Sequence, residues 1–253
     1  MATTTPDTAP LTVVLCHGAF TDASSWSGVI GRLEAAGVQV TAPPNPLRGL
    51  SADSAYLESF MKQIPGPVLA VAHSYTGAVI SDAATKVDNV VGLVFVAAFA
   101  TDEGETVGEV AGTSKDAILS TAMTSLHYPV GAGAETAIEL VVDPAKFRDV
   151  VAADLPAKQT AVMAAMQRPI AELAFSEPCG PPAWKSRPSW AVVATGDKAA
   201  GADVTRSQAE RAGATITEVQ GSHVIMVSQP EAVADVILTA AAAVDRQVVA
   251  SRG

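Results

Sequence analysis

Short apolar runs alternate with amphipathic stretches along most of the chain. Leu11–Cys16 (LTVVLC) is Val-rich, apolar at nearly every position and too short for a helix, the pattern of a parallel strand buried on both faces. Thr21–Gly37 follows, with Ser24 as a cap, Trp26, Val29, Ile30 and Leu33 at helical spacing, and Gly37 as the stop. A second strand over Val38–Ala42 runs into Pro43, Pro44 and Pro46, and Ser51–Ile64 is helical with Leu57, Phe60 and Met61 on one side. Pro67–Ala72 (PVLAVA) predicts a third strand, Gly77–Val87 the helix behind it, and Val90–Ala97 a fourth strand. Past Arg187 the alternation resumes with strand Ser189–Ala194, helix Val204–Ala212, strand Thr215–Val219 and a closing helix Pro230–Val244. Strands separated by helical stretches imply βαβ units, so the fold class is α/β, a parallel sheet with helices on both faces.

Between about Asp102 and Arg187 the rhythm breaks. Asp116–Leu126, Glu135–Val142, Ala145–Ala152 and Ala157–Met166 read as helical patches, no strand stands out, and Pro178, Pro181 and Pro182 close the segment. This predicts a helical cap, inserted before the last two strands, over the carboxyl edge of the sheet, where open α/β sheets bind ligands. Residues 1–10 are polar and expected to be disordered; residues 11–253 read as a single domain with the cap at about 102–187.

Composition narrows the partners. Of 253 residues, 49% are hydrophobic, and the balance of 16 basic against 26 acidic residues gives a net charge of −10. No Lys/Arg cluster reverses that field locally, so neither nucleic acid nor an anionic membrane surface is an expected partner. The longest strongly apolar stretch, Val90–Ala100, falls far short of the ~20 residues of a membrane helix. The first residues lack the basic and apolar regions of a signal peptide, and Cys16 and Cys179 do not form a disulfide framework, which together suggest a cytoplasmic protein. Neither cysteine has metal-ligand spacing, and Gly131-Ala132-Gly133 lies outside any βαβ unit, so neither a metal site nor a dinucleotide-binding motif is expected.

The chemistry begins at Val71-Ala72-His73-Ser74-Tyr75-Thr76-Gly77, where a serine stands between a buried strand and a helix. Such a tight strand-to-helix turn lifts the hydroxyl to the sheet edge above a helix N-terminus. His17-Gly18-Ala19-Phe20 follows the first strand and supplies backbone N–H groups for an oxyanion: Ala19 paired with Tyr75, with Phe20 next in line. Asp197 follows the Ser189–Ala194 strand and His223 the last strand, giving the order Ser, Asp, His along the chain. Each residue alone has a plainer reading, a helix cap for Ser74, a turn for Asp197, a surface histidine for His223. Four such pieces at four strand ends favour a nucleophile with its base and orienting acid. Asp102, after the fourth strand, is the rival acid; His73 is expected to point away from the site, and His127 to be incidental. Phe20, Trp26 and Trp184 are candidates to line an apolar substrate pocket.

The segments VLCHGAF (Val14–Phe20), AHSYTGAVI (Ala72–Ile80), VVGLVFVAAFA (Val90–Ala100), PSWAVVATGD (Pro188–Asp197) and SHVIMVSQPEAVADVI (Ser222–Ile237) resemble the α/β-hydrolases, in particular the small capped esterases related to plant methylesterases and hydroxynitrile lyases. The resemblance spans about Leu11–Ala242 and implies a cofactor-free serine hydrolase with Ser74, His223 and Asp197 as its triad. The first strand resembles the third of that fold, so a six-stranded, all-parallel sheet without the two opening strands is expected. Ala72 and Thr76 stand where the family carries glycines, and β-branched Thr76 crowds the turn while Gly77 relieves it. The expected substrate is a small or medium ester, lactone or thioester. A lyase on the same residues, or a ligand-binding protein with an idle triad, are the alternatives, and a homodimer is left open.

Overall fold

The computed structural model describes residues 9–250, so most of the stretch expected to be disordered lies outside the described residues. Its strands are β1 (Thr12–Cys16), β2 (Gln39–Thr41), β3 (Val68–His73), β4 (Val90–Val96), β5 (Met123–Pro129), β6 (Thr136–Val142), β7 (Ile170–Ala171), β8 (Ser189–Ala194) and β9 (Thr215–Val219). The helices are α1 (Ser27–Ala35), α2 (Leu50–Lys62), α3 (Thr76–Ala83), α4 (Val107–Gly112), α5 (Pro144–Val151), α6 (Ala157–Met166), α7 (Leu173–Ser176), α8 (Ala202–Arg211), α9 (Ile225–Ser228) and α10 (Pro230–Ala250). Six strands form one sheet in the order β2-β1-β3-β4-β8-β9, every neighbouring pair parallel. The expected six-stranded parallel sheet is what the chain builds.

The apolar runs became strands because both their faces are covered. Every residue of β1, β3 and β8 is buried, α1 packs with α10, and α2 packs with α3. Parallel strands also place all their carboxyl ends on one edge, which gathers the loops after β1, β3, β8 and β9 into one neighbourhood.

The segment between β4 and β8 corrects the expectation of an all-helical insertion. Met123–Leu126 and Thr136–Val142, which fall within stretches expected to be helical, belong instead to an antiparallel hairpin of Met123–Pro129 and Thr136–Val142, and β7 adds a third strand through Leu140 and Ile170. Thr124, Tyr128, Ile138, Val141 and Val142 are strand-forming residue types, and Gly131 turns the hairpin at φ +76°. Most of β5 faces outward, so its burial leaves little period-two signal in the sequence. The other two patches are helices: α5 starts on an Asp143 cap with Pro144 in its first turn, and α6 spans the expected residues. The insertion is anchored to the carboxyl-edge loops. Ala171 N–H donates to the Leu47 carbonyl (2.9 Å), Arg48 pairs with Glu139 (2.9 Å), and Ile118 N–H donates to the Lys198 carbonyl (2.8 Å).

Candidate active site

Ser74 occupies the turn between β3 and α3 at φ +57°, in the left-handed region that costs a side-chain-bearing residue about 1–3 kcal/mol. The turn is over-determined. The Ser74 carbonyl accepts from Gly77 N–H (3.0 Å) and Phe99 N–H (3.1 Å), and its own N–H reaches the Val96 carbonyl (3.4 Å). Gly77 is required there, because a Cβ would run into the Phe99 carbonyl oxygen.

His223 Nδ1 lies 2.8 Å from Asp197 Oδ2, and its Nε2 lies 2.9 Å from Ser74 Oγ. An ionised carboxylate only accepts, so Nδ1 carries the proton and Nε2 is left to accept from the serine hydroxyl. Asp197 is itself fixed by the N–H groups of Ala199 (2.8 Å) and Ala200 (3.0 Å) on Oδ1. All three side chains are buried. An alcohol bonded to an imidazole that a buried carboxylate orients is the arrangement that turns a hydroxyl into a nucleophile. Asp102, the rival acid, instead pairs with Lys185 on the surface, which holds its carboxyl below the usual range.

The loop after β1 closes against this turn. A Cβ on Gly18 would sit 2.7 Å from Ser74 Cβ, so only glycine lets the loop approach so closely. Among the described residues, neither Ala19 N–H nor Tyr75 N–H has a backbone partner, which leaves two donors beside the serine. Phe20 follows at φ +59°.

Thr76, where a glycine would relieve the turn, is instead a tie. Its hydroxyl donates to the His17 carbonyl (2.6 Å) and accepts from Asn45 Nδ2 (2.9 Å), and Asn45 N–H donates to His17 Nε2 (2.9 Å). His17 Nδ1 donates to the Gly18 carbonyl (2.9 Å), and burial holds its ring neutral by lowering its pKa. The loops after β1, β2 and β3 are thereby joined through one buried polar network.

The profile of the Alpha/beta hydrolase family matches residues 13–236. The chain belongs to this family. Solved structures agree on the fold. That of polyneuridine aldehyde esterase superposes with a TM-score of 0.75 at 20% identity, covering 91% of this chain and 99% of the other. The methylesterase MES16 from Arabidopsis gives 0.74 at 19% identity, with 92% and 99% covered. A pyrethroid hydrolase from Sphingobium faniae JZ-2 gives 0.70 at 21% identity, with 93% and 98% covered. The comparison with curated proteins gives no match.

In this hydrolase-family chain His73 does not point away from the site, as its place on the strand suggested. Its Nε2 donates to the His223 carbonyl (3.0 Å), and the two rings lie 4.5 Å apart between centroids. Its Nδ1 has no partner among the described residues, and burial drives its pKa well down, so the ring is neutral. Sequence reasoning also missed Asp53, which accepts from the Tyr75 hydroxyl (2.9 Å) and Arg48 N–H (3.0 Å). Burial pushes the Asp53 carboxyl up to about 6. On an amphipathic helix it looks like any solvated acid, and nothing local marks it.

Phe20 lines a mainly apolar cavity of about 560 Å3 between the loop after β1 and α6, together with Val162, Met163, Met166 and Val227. Of the other aromatic candidates, Trp26 is fully buried, and Trp184 is buried with Nε1 donating to the Thr101 carbonyl (3.1 Å). Neither borders this cavity.

Proposed function

We propose that the chain is a serine hydrolase that cleaves a small or medium carboxylic ester through an acyl-enzyme on Ser74. The observation that carries the reading is the hydrogen-bonded series Ser74–His223–Asp197 at a strained strand-to-helix turn. The fold's neighbours, an esterase, a methylesterase and a pyrethroid hydrolase, are consistent with it.

In the first half-reaction His223 Nε2 takes the Ser74 proton as Oγ bonds to the ester carbonyl carbon. The resulting oxyanion receives the N–H groups of Ala19 and Tyr75. As the intermediate collapses, the bond to the alcohol oxygen breaks and His223 returns the proton to it. A water, deprotonated by the same nitrogen, then releases the acid and restores the serine. Asp197 keeps the imidazole in the tautomer that accepts from the hydroxyl and stabilises its protonated form. The cavity beside Phe20 suits the apolar part of the ester, since Phe20 adjoins Ala19 and Val227 lies on α9, just past His223.

A fluorophosphonate is expected to form a single adduct that peptide mapping assigns to Ser74. Ser74→Ala should lose the adduct and lower kcat/KM for p-nitrophenyl esters by about a thousandfold or more. Undiminished ester turnover by a folded Ser74→Ala protein would falsify the reading.

A further inference from the structure

The loop that carries His223 is held from both sides by the insertion. Ser222 N–H donates to Asp154 Oδ2 (3.1 Å), and Ser222 Oγ donates to Asp154 Oδ1. On the other side of the histidine, Val224 N–H donates to the Val151 carbonyl (3.3 Å). Val151 ends α5 and Asp154 lies in the turn leading to α6, the helix that walls the cavity. Gly221 belongs to the same contact, because a Cβ there would come within 2.8 Å of Asp154 Oδ2.

We propose that Asp154 is a positioning residue for His223. Through Ser222 it sets where the imidazole meets the Ser74 hydroxyl, and it makes that placement depend on how the insertion is seated. This rests on reading Ser74 and His223 as nucleophile and base. Asp197 controls the tautomer and tilt of the ring but not the position of the backbone behind it. The backbone is fixed by Asp154 and Val151 from the insertion and by His73, whose Nε2 holds the His223 carbonyl. Burial opposes ionisation of Asp154, but hydrogen bonding outweighs it, led by the Ser222 hydroxyl with the Ser228 hydroxyl and backbone N–H groups behind it, and keeps the carboxyl below its usual range. At neutral pH it is therefore an ionised acceptor for two charge-assisted bonds to one residue.

Asp154→Ala removes both bonds, whereas Asp154→Asn retains an acceptor for Ser222 N–H and a donor for its hydroxyl. The first variant is expected to lose about 10–100-fold in kcat for p-nitrophenyl butyrate with KM within about twofold, the scale of an ångström's misplacement of a catalytic group. The low-field proton resonance of His223 Nδ1 should broaden or vanish in the same variant. Asp154→Asn should stay within about threefold of wild type in kcat, because position and not charge is at issue. An unaltered kcat in folded Asp154→Ala, or equal losses in the two variants, overturns the proposal while the Ser74 adduct of the wild type keeps the underlying reading intact. A wild type that forms no Ser74 adduct overturns both. Should Asp154→Ala not fold, Ser222→Ala serves instead: it is expected to lose about threefold or more in kcat, and no loss overturns the proposal.

Discussion

Every position of β1, β3 and β8 is buried, whereas β5 exposes most of its residues and has a neighbour on one side only. The sheet and the insertion therefore answer to different physics. In these three strands each side chain is enclosed, and its removal leaves a hole. On the outward face of β5, solvent replaces whatever is removed. Ser74, Asp197 and His223 lie in the loops at the carboxyl edge of the sheet, and the insertion reaches the loop behind His223 through Asp154 and Ser222. The difference implies a large stability cost for truncation within β3 and a small one on the outward face of β5.

The widest separation between the two regions is expected in thermodynamic stability. Leu69→Ala in β3 should cost about 2–5 kcal/mol in chemical denaturation, as buried leucine truncations do. Leu126→Ala, on the exposed face of β5, should cost under about 0.5 kcal/mol. Comparable losses at the two positions would dissolve the contrast.

A smaller effect, on selectivity, should come from the insertion alone. Val162→Trp adds bulk at the mouth of the cavity from a half-exposed position on α6. It is expected to raise KM for a bulky aromatic ester about tenfold, equivalent to about 1.4 kcal/mol, with an acetate ester and the melting temperature little changed. If both esters respond alike, the cavity does not hold the distinguishing part of the substrate.

A third effect concerns acidity within the sheet's own half. The Asp53 carboxyl is pushed from 3.8 to about 6 in the folded chain, chiefly by burial. Between those values the folded state binds more protons than the unfolded state, so this group's contribution to stability falls as pH rises from about 4 to 6 and stays low above that. Asp53→Asn has no such titration. Its melting temperature relative to wild type should therefore climb by a few degrees between pH 4.5 and pH 7. A difference that stays flat across that range would mean that Asp53 titrates normally.

The same contrast explains what could be read from the residues. β8 begins and ends where the apolar pattern predicted, since burial leaves a sequence record wherever both faces are covered; β9 also has the predicted bounds, although as an edge strand it exposes Thr215, Thr217 and Glu218. Thr136–Val142 (TAIELVV) was misread because seven residues with a half-open face fit a helical period nearly as well as an alternating one. Ser74, Asp197 and His223 could be placed from their strand ends alone, and the structure brings their side chains within hydrogen-bonding distance. Asn45, Asp53 and Asp154 had no such signal. Each acts through partners distant in sequence, 68 residues away for Asp154 and Ser222, and a lone polar residue in a loop or on a helix looks the same whether it faces water or a buried partner.

The bond between Ser74 and His223 joins positions 149 residues apart, and the tie between Thr76 and His17 spans 59. During synthesis, at about 5–20 residues per second, β1, β3 and the Ser74 turn leave the ribosome seconds before the loop that completes them. A nascent chain that has emerged through α8 carries Ser74 and Asp197 but not yet His223, which bonds to both. Until the final strand docks, the Ser74 hydroxyl lacks the partner that His223 gives it in the folded chain.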